Sequence, residues 1–226
     1  MKIAALLVAA GRGRRAGGDT PKQWRSVGGK RVIEHTVERF QSHPLISSVL
    51  VVIHRDDHGR YDLGLPFAFG GETRQASVQN GLLALAEQRP DLVLIHDVAR
   101  AAVPEEVITR VIAALHSHEG AAPALALTDA LWVGHEGQVT GVHPRDGLFR
   151  AQTPQGFHYD KICKAHQNGD KNAPDDVSLA IAAGLNVAIV EGSEDNFKIT
   201  HPDDFKRMEK HIKNEFGNGC KIRPRI

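Results

Sequence analysis

Apolar residues along this chain fall into two arrangements that take turns. Short unbroken runs stand at 3–10, where the sequence reads Ile-Ala-Ala-Leu-Leu-Val-Ala-Ala, and at 49–53, 67–69, 92–95 and 187–190. Each is too short for a membrane span and predicts a strand buried on both faces. Between them lie stripes at helical spacing. Val32, Ile33, Val37 and Phe40 predict a helix over 31–42, and Val78, Leu82 and Leu85 one over about 73–88. Pro104, Glu105 and Glu106 open another, whose Val107, Ile108, Val111, Ile112 and Leu115 form one stripe. Two shorter helices are predicted over 158–168 and 175–183, and a last one from Pro202 to about Phe216. Strand and helix alternate, which predicts an α/β fold with a doubly wound, mostly parallel sheet of Rossmann-like type.

The alternation breaks after 124–127. Residues 130–150 carry β-like pieces punctuated by Gly134, Gly137, Gly141 and Gly147, with no stripe for a core helix. Such a piece buries little of its own surface. It fits either a projecting arm that meets a partner or a loose surface excursion. A chain of 226 residues suits one large domain, taken here as 1–216, with 217–226 as a flexible tail or linker remnant.

Composition narrows the options. The chain is 41% hydrophobic but only 5% aromatic, so the core is aliphatic and alanine-rich. Its 28 basic and 27 acidic residues give a formal charge of +1, no bulk footprint for nucleic acid. Cys163 and Cys220 are too few for a disulfide framework or a Cys-rich zinc site, which fits a reducing cytoplasm. No cleavable apolar leader precedes the first strand. Thirteen histidines include only single pairs such as His116 with His118 and Cys163 with His166, read as surface residues.

The candidate chemistry begins where the first run ends, at Gly11-Arg12-Gly13-Arg14-Arg15. Glycines let the backbone approach a bulky ligand with its N–H groups outward. Arg14, Arg15 and Lys22 set cations beside them, chemistry suited to a polyphosphate. The spacing also matches a dinucleotide fingerprint, but Gly17, Gly18 and Pro21 forbid the helix that fingerprint needs. No Walker loop occurs, and a solvated basic turn also fits the spacing. Asp97 ends an apolar strand, where a carboxylate must be satisfied. It can hold Mg²⁺, accept a substrate hydroxyl, or cap a turn.

The loop A-A-G-R-G-R-R at 9–15 followed by P-K-Q at 21–23 resembles the nucleotidyltransferases that join a nucleoside triphosphate to a phosphorylated alcohol. Within them the chain is most similar to the 2-C-methyl-D-erythritol 4-phosphate cytidylyltransferases of the non-mevalonate isoprenoid pathway. The similarity runs in order from residue 3 to about 208. It implies that Arg15, Lys22, Arg145 and Lys198 carry catalysis. It assigns Ala9, Ala10, Gly11 and Gly13 to the nucleotide loop, and Gly71, Glu72 and Ser77 of G-G-E-T-R-Q-A-S to the cytosine. It places Asp97 and Arg100 of H-D-V-A-R, and Thr153 of T-P-Q, near the substrate, with Asp97 the metal candidate alongside Asp195 and Asn196.

The same similarity implies CTP as substrate, Mg²⁺ as the divalent cation, and a homodimer in which the 130–150 arm delivers Arg145 to the other subunit. It implies neither a nucleic-acid nor a membrane partner. Two positions depart from the family: Ala130 and Pro174 stand where threonines are usual. Each missing hydroxyl removes a hydrogen bond of roughly 0.5–1.5 kcal/mol. Another polyol phosphate, such as ribitol or glycerol phosphate, therefore remains a rival substrate, and a catalytically silent nucleotide binder remains a rival of another class.

Overall fold

In a computed structural model, which describes residues 1–217, the first apolar run forms strand β1 (Ile3–Val8) inside an eight-stranded sheet. Its burial has a period of two. Ile3, Ala5, Leu7 and Ala9 enter one core and Ala4, Leu6 and Ala10 the other, which is why the run has no polar break.

No α-helix opens at the glycine loop, as its glycines and Pro21 require. Only two short 3₁₀ turns follow, at Arg14–Ala16 and Lys22–Trp24, and then a small hairpin of β2 (Ser26–Val27) and β3 (Lys30–Arg31). Helix α1 (Val32–Gln41), strand β4 (Ser48–Ile53) and strand β5 (Phe67–Phe69) come next. Helix α2 (Arg74–Ala84), strand β6 (Leu92–Asp97), helix α3 (Glu105–Ala114) and strand β7 (Gly120–Ala126) continue the alternation. Strands β8 (Leu131–His135) and β9 (Gln138–His143) pair only with each other. Strands β10 (Phe149–Ala151) and β11 (Gln155–His158), helices α4 (Tyr159–Asn168) and α5 (Asp176–Ala182), strand β12 (Val187–Glu191) and helix α6 (Pro202–Gly217) complete the order.

Strands β5, β4, β1 and β6 lie side by side in parallel, and β12 runs parallel to β7. The sheet is mixed because β11 inserts antiparallel between β6 and β7, and β10 pairs antiparallel with β7. Helices α1, α3 and α6 pack one face through Phe40, Ile108 and Met208, and α2, α4 and α5 the other through Leu82, Ile162 and Leu179. Among the described residues no helix is long and apolar enough to cross a membrane.

Four details correct the sequence reading. Helix α2 stops at Ala84, short of 88. Strand β7, Gly120–Ala126, lies where no strand was expected. Residues 149–150 belong to the main sheet rather than to the excursion. The histidines are not all at the surface: His96, His43 and His166 are buried, each with a hydrogen-bonding partner. Within 130–150, by contrast, Trp132 is 69% and Val142 72% exposed. Apart from Gly217, the tail at 217–226 lies outside the described residues.

Candidate active site

The loops that follow β1, β4, β5, β6 and β12 converge at the carboxyl ends of the parallel strands, where open α/β sheets bind ligands. They enclose a cavity of about 360 Å³. Ala9, Ala10 and Gly11 form one wall, Gly71, Glu72, Thr73 and Ser77 a second, and Asp97, Val98 and Ala99 a third. Lys22 and Lys198, from opposite ends of the sequence, both reach it.

The first loop keeps its shape through Gln23, whose amide Nε2 donates to the carbonyls of Ala9 (2.7 Å) and Gly11 (3.1 Å). Gly13 has φ +63°, and a Cβ there would sit 3.0 Å from Cγ of Lys22. The glycine thus lets the lysine stem lie against the loop. Lys22 Nζ donates to the carbonyl of Ile199 at 2.6 Å. Burial, with Lys198 adding like charge nearby, lowers its pKa to about 8.

The cytosine candidates stand at the start of α2, Gly71 and Glu72 in the turn before it and Ser77 within the helix. Ser77 Oγ accepts from the Gly71 N–H (3.1 Å) and donates to the Thr73 carbonyl (2.9 Å). Thr73 caps the helix, its hydroxyl accepting from the Ala76 N–H at 3.0 Å. The floor is tight: a Cβ on Gly70 would lie 2.3 Å from Cβ of Ala10. Backbone and methyl groups therefore meet whatever enters there.

Asp97 is the electrostatic centre. Its Oδ2 accepts from Lys198 Nζ at 2.5 Å and its Oδ1 from Arg74 Nε at 3.1 Å. Arg74 extends on to Asp176, Nη1 to Oδ2 at 2.9 Å, and Asp176 meets His166 Nε2 at 3.1 Å. Burial opposes ionisation of Asp97, but Arg74 and Lys198 outweigh it and hold the carboxyl well below the usual carboxylate range. Arg74 is likewise disfavoured by burial and kept firmly cationic by Asp176 and Asp97.

Thr153 and Arg100 hold the walls and do not line the cavity. Thr153 Oγ1 accepts from the Asp97 N–H (3.1 Å) and meets His96 Nδ1 at 3.0 Å. Burial lowers the pKa of His96 to about 3, so the ring is neutral, with Nε2–H facing the Arg100 carbonyl at 3.2 Å. Arg100 donates to the carbonyls of Asn196 (2.7 Å) and Ala151 (3.2 Å), tying the loop after β12 to the end of β10. Arg15 is exposed and outside the cavity lining. Arg145 lies beyond β9, its guanidinium donating to the Thr128 carbonyl, and also outside the lining of its own chain.

No cluster of three metal-ligating side chains occurs among the described residues, and the cavity is lined by two carboxylates, Asp97 and Glu72. That donor set fits a magnesium ion held mostly by substrate phosphates and water, with at most one or two protein carboxylates.

Of the lining residues with titratable side chains, three escaped the sequence reading: Arg12, His54 and Arg74. Arg74 had a visible signal. A cation in the first turn of a helix opposes the helix dipole and needs nearby carboxylates.

A family model for 2-C-methyl-D-erythritol 4-phosphate cytidylyltransferase, IspD, matches residues 3–214. The chain is 51% identical to the protein of that name from Cereibacter sphaeroides over 218 residues, 93% of this chain and 96% of the relative. It is equally similar, at 51% over 230 residues, to a bifunctional IspD/IspF enzyme of Ruegeria pomeroyi. There it covers 98% of itself but only 61% of that longer protein. The solved structure of 2-C-methyl-D-erythritol 4-phosphate cytidylyltransferase from Thermus thermophilus is 36% identical, with a TM-score of 0.80, covering 94% of this chain and 100% of that one. With sequence and fold matched across nearly the whole described length, the chain belongs to the 2-C-methyl-D-erythritol 4-phosphate cytidylyltransferase family of enzymes.

Proposed function

We propose that the chain joins CTP and 2-C-methyl-D-erythritol 4-phosphate, releasing pyrophosphate, as a homodimer in the cytoplasm. Cytidylyl transfer in isoprenoid precursor synthesis comes with the family. The observation that carries the detailed reading is the meeting of Lys22 and Lys198 at one cavity, since two phosphorylated substrates need two sets of cations.

A monoester oxygen attacks the α-phosphorus, a new P–O bond forms, and the bond to the β-phosphate oxygen breaks. A monoester with a second pKa near 6 is already largely dianionic at neutral pH, so no general base is required. The work left to the protein is positioning and charge neutralisation. Lys22 and Arg15 neutralise the triphosphate, and Gly71, Glu72 and Ser77 receive the cytosine through amide and hydroxyl groups. Lys198 holds the attacking phosphate, aided by Arg145 from the other subunit's arm. Once phosphate takes Lys198, Asp97 is freed from one of its two cations and becomes the residue that would hold Mg²⁺. The ion would neutralise charge on the phosphates.

Ala130 and Pro174 favour a second reading, in which another polyol phosphate is the acceptor. Pyrophosphate release with CTP, Mg²⁺ and a panel of methylerythritol, ribitol and glycerol phosphates tests both. Fastest turnover with methylerythritol phosphate is expected; a preference for ribitol or glycerol phosphate selects the second reading, and no turnover with any acceptor sinks both.

A further inference from the structure

Between the two glycines of the first loop, Arg12 sends its side chain across to the connection that follows β4. Its Nη1 donates to Oδ1 of Asp57 at 2.9 Å. Asp57 ends a single 3₁₀ turn, Arg55–Asp57, and its side chain is 1% exposed. Its other oxygen accepts from the indole Nε1 of Trp24 at 2.8 Å, and Trp24 is stacked on Tyr61 with centroids 4.3 Å apart and planes 9° from parallel. The carboxylate is thus fixed on one side by a buried ring and offers its remaining oxygen to a guanidinium.

That guanidinium is not consumed by the pair. Its side chain is 37% exposed and lines the cavity together with Lys22 and His54, and among the described residues Asp57 is the one hydrogen-bond partner it has. A planar fork with free N–H groups suits phosphate oxygens. Its position also excludes the base. Trp24 belongs to the core packed by α1, α3 and α6, whereas Gly71 precedes and Ser77 lies within α2, which packs the other face of the sheet. Arg12 therefore stands on the Lys22 side of the cavity, opposite the segment assigned to cytosine.

We propose that Arg12 is a further phosphate-binding residue of the nucleotide site, contacting phosphates beyond the first, and that Asp57 is the positioning residue that aims it. Nothing in the residue pattern assigns either role: Arg12 stands between the loop glycines, and Asp57 falls in none of the candidate segments. The proposal rests on the cavity being a CTP site.

The test is a calorimetric titration of wild type, Arg12→Ala, Asp57→Asn and the double variant with CMP and CTP, together with steady-state kinetics of the same proteins with CTP and the polyol phosphate. In Arg12→Ala, CTP affinity should fall at least about tenfold, the worth of a lost charged hydrogen bond, while CMP stays within about twofold. Asp57→Asn keeps an acceptor for Trp24 but loses the charge. It should raise the KM for CTP about threefold or more and leave the KM for the polyol phosphate unchanged. The double variant guards against the burial of an unpaired Asp57 carboxylate in Arg12→Ala, and should keep the full CTP defect.

Equal losses for CMP and CTP in Arg12→Ala, or wild-type CTP affinity in the double variant, would reduce Arg12 to a loop anchor and overturn the proposal. Wild-type behaviour of Asp57→Asn removes the positioning role. A wild-type protein that binds CMP and CTP equally overturns contact beyond the first phosphate. One that binds neither overturns the reading of the cavity itself, and the proposal with it.

Discussion

The Asp97 end of the cavity and the β8–β9 hairpin are the two most contrasting regions of this molecule. At Asp97 every charge has an answer within the chain: Lys198 and Arg74 face the carboxylate, and Asp176 faces Arg74 in turn. On the hairpin, Trp132, Val133, Val139 and Val142 are exposed, and neither strand pairs with the main sheet. One region is finished by its own sequence. The other presents an apolar surface of the kind that marks a contact site. The two-fold partner proposed above would cover it, each hairpin serving the other subunit.

The largest effect is expected at the finished end. Lys22→Ala should fold with an unchanged thermal midpoint and lose about 10²–10³ in kcat at saturating CTP, the usual loss for one preorganised charge donor. Near-wild-type turnover would remove Lys22 from the chemistry. The unfinished end is tested next. Mixing Arg145→Ala with Lys22→Ala subunits, each nearly inactive alone, should restore activity to about a quarter of wild type if arms are exchanged at random and one site per mixed dimer is intact. Verified mixed dimers that stay inactive would confine Arg145 to its own chain.

A pH profile probes the cavity end without mutation. Burial and Lys198 hold the free-enzyme pKa of Lys22 at about 8, so kcat/KM for CTP should fall as pH rises through that value. CTP itself raises the lysine pKa, and the basic limb of kcat should lie higher. On the acid side, protonation of the substrate monoester gives a limb near about 6. A flat basic limb up to about pH 10 would mean that Lys22 charge is not needed. Stability has its own sign. Because the folded pKa is depressed, the unfolded chain binds more protons between about 8 and 10.5, and stability contributed by this group rises with pH across that window.

The smallest effect belongs to Ser77→Ala. Loss of one neutral hydrogen bond of about 0.5–1.5 kcal/mol should raise the KM for CTP several-fold and leave kcat nearly unchanged. An equal loss with UTP and CTP would show the hydroxyl to be a turn support rather than a base contact.

What the sequence disclosed follows the same division. The buried strands and the helix stripes were legible because burial on two faces or one stripe writes itself as periodicity. Strand β11 was not, since Gln155, Gly156 and His158 give no alternation around Phe157. Its place is set by Gln155, whose amide oxygen accepts from the Asp176 and Val177 N–H groups. Lys22, Asp97 and Lys198 stand in local motifs and line the cavity. Arg74, which lines the cavity, and Asp57, which holds Arg12, drew no notice because what defines them is a partner far away in sequence, Asp176 for one and Arg12 for the other. Thr153 and Arg100 sit in the right motifs, yet their side chains point to backbone that shapes the cavity.

The hydrogen bond from Lys22 to the carbonyl of Ile199 has a consequence for how the protein is made. Strand β1 is made before its neighbours β4 and β6 and before the lysine's acceptor, the last of them far along the chain. Contacts of such long range form slowly, and domains fold as units during synthesis. A nascent chain halted before residue 198 therefore holds the glycine loop and the Asp97 carboxylate without the second cation. The cavity therefore gains its full set of lining cations only once that late segment has been made.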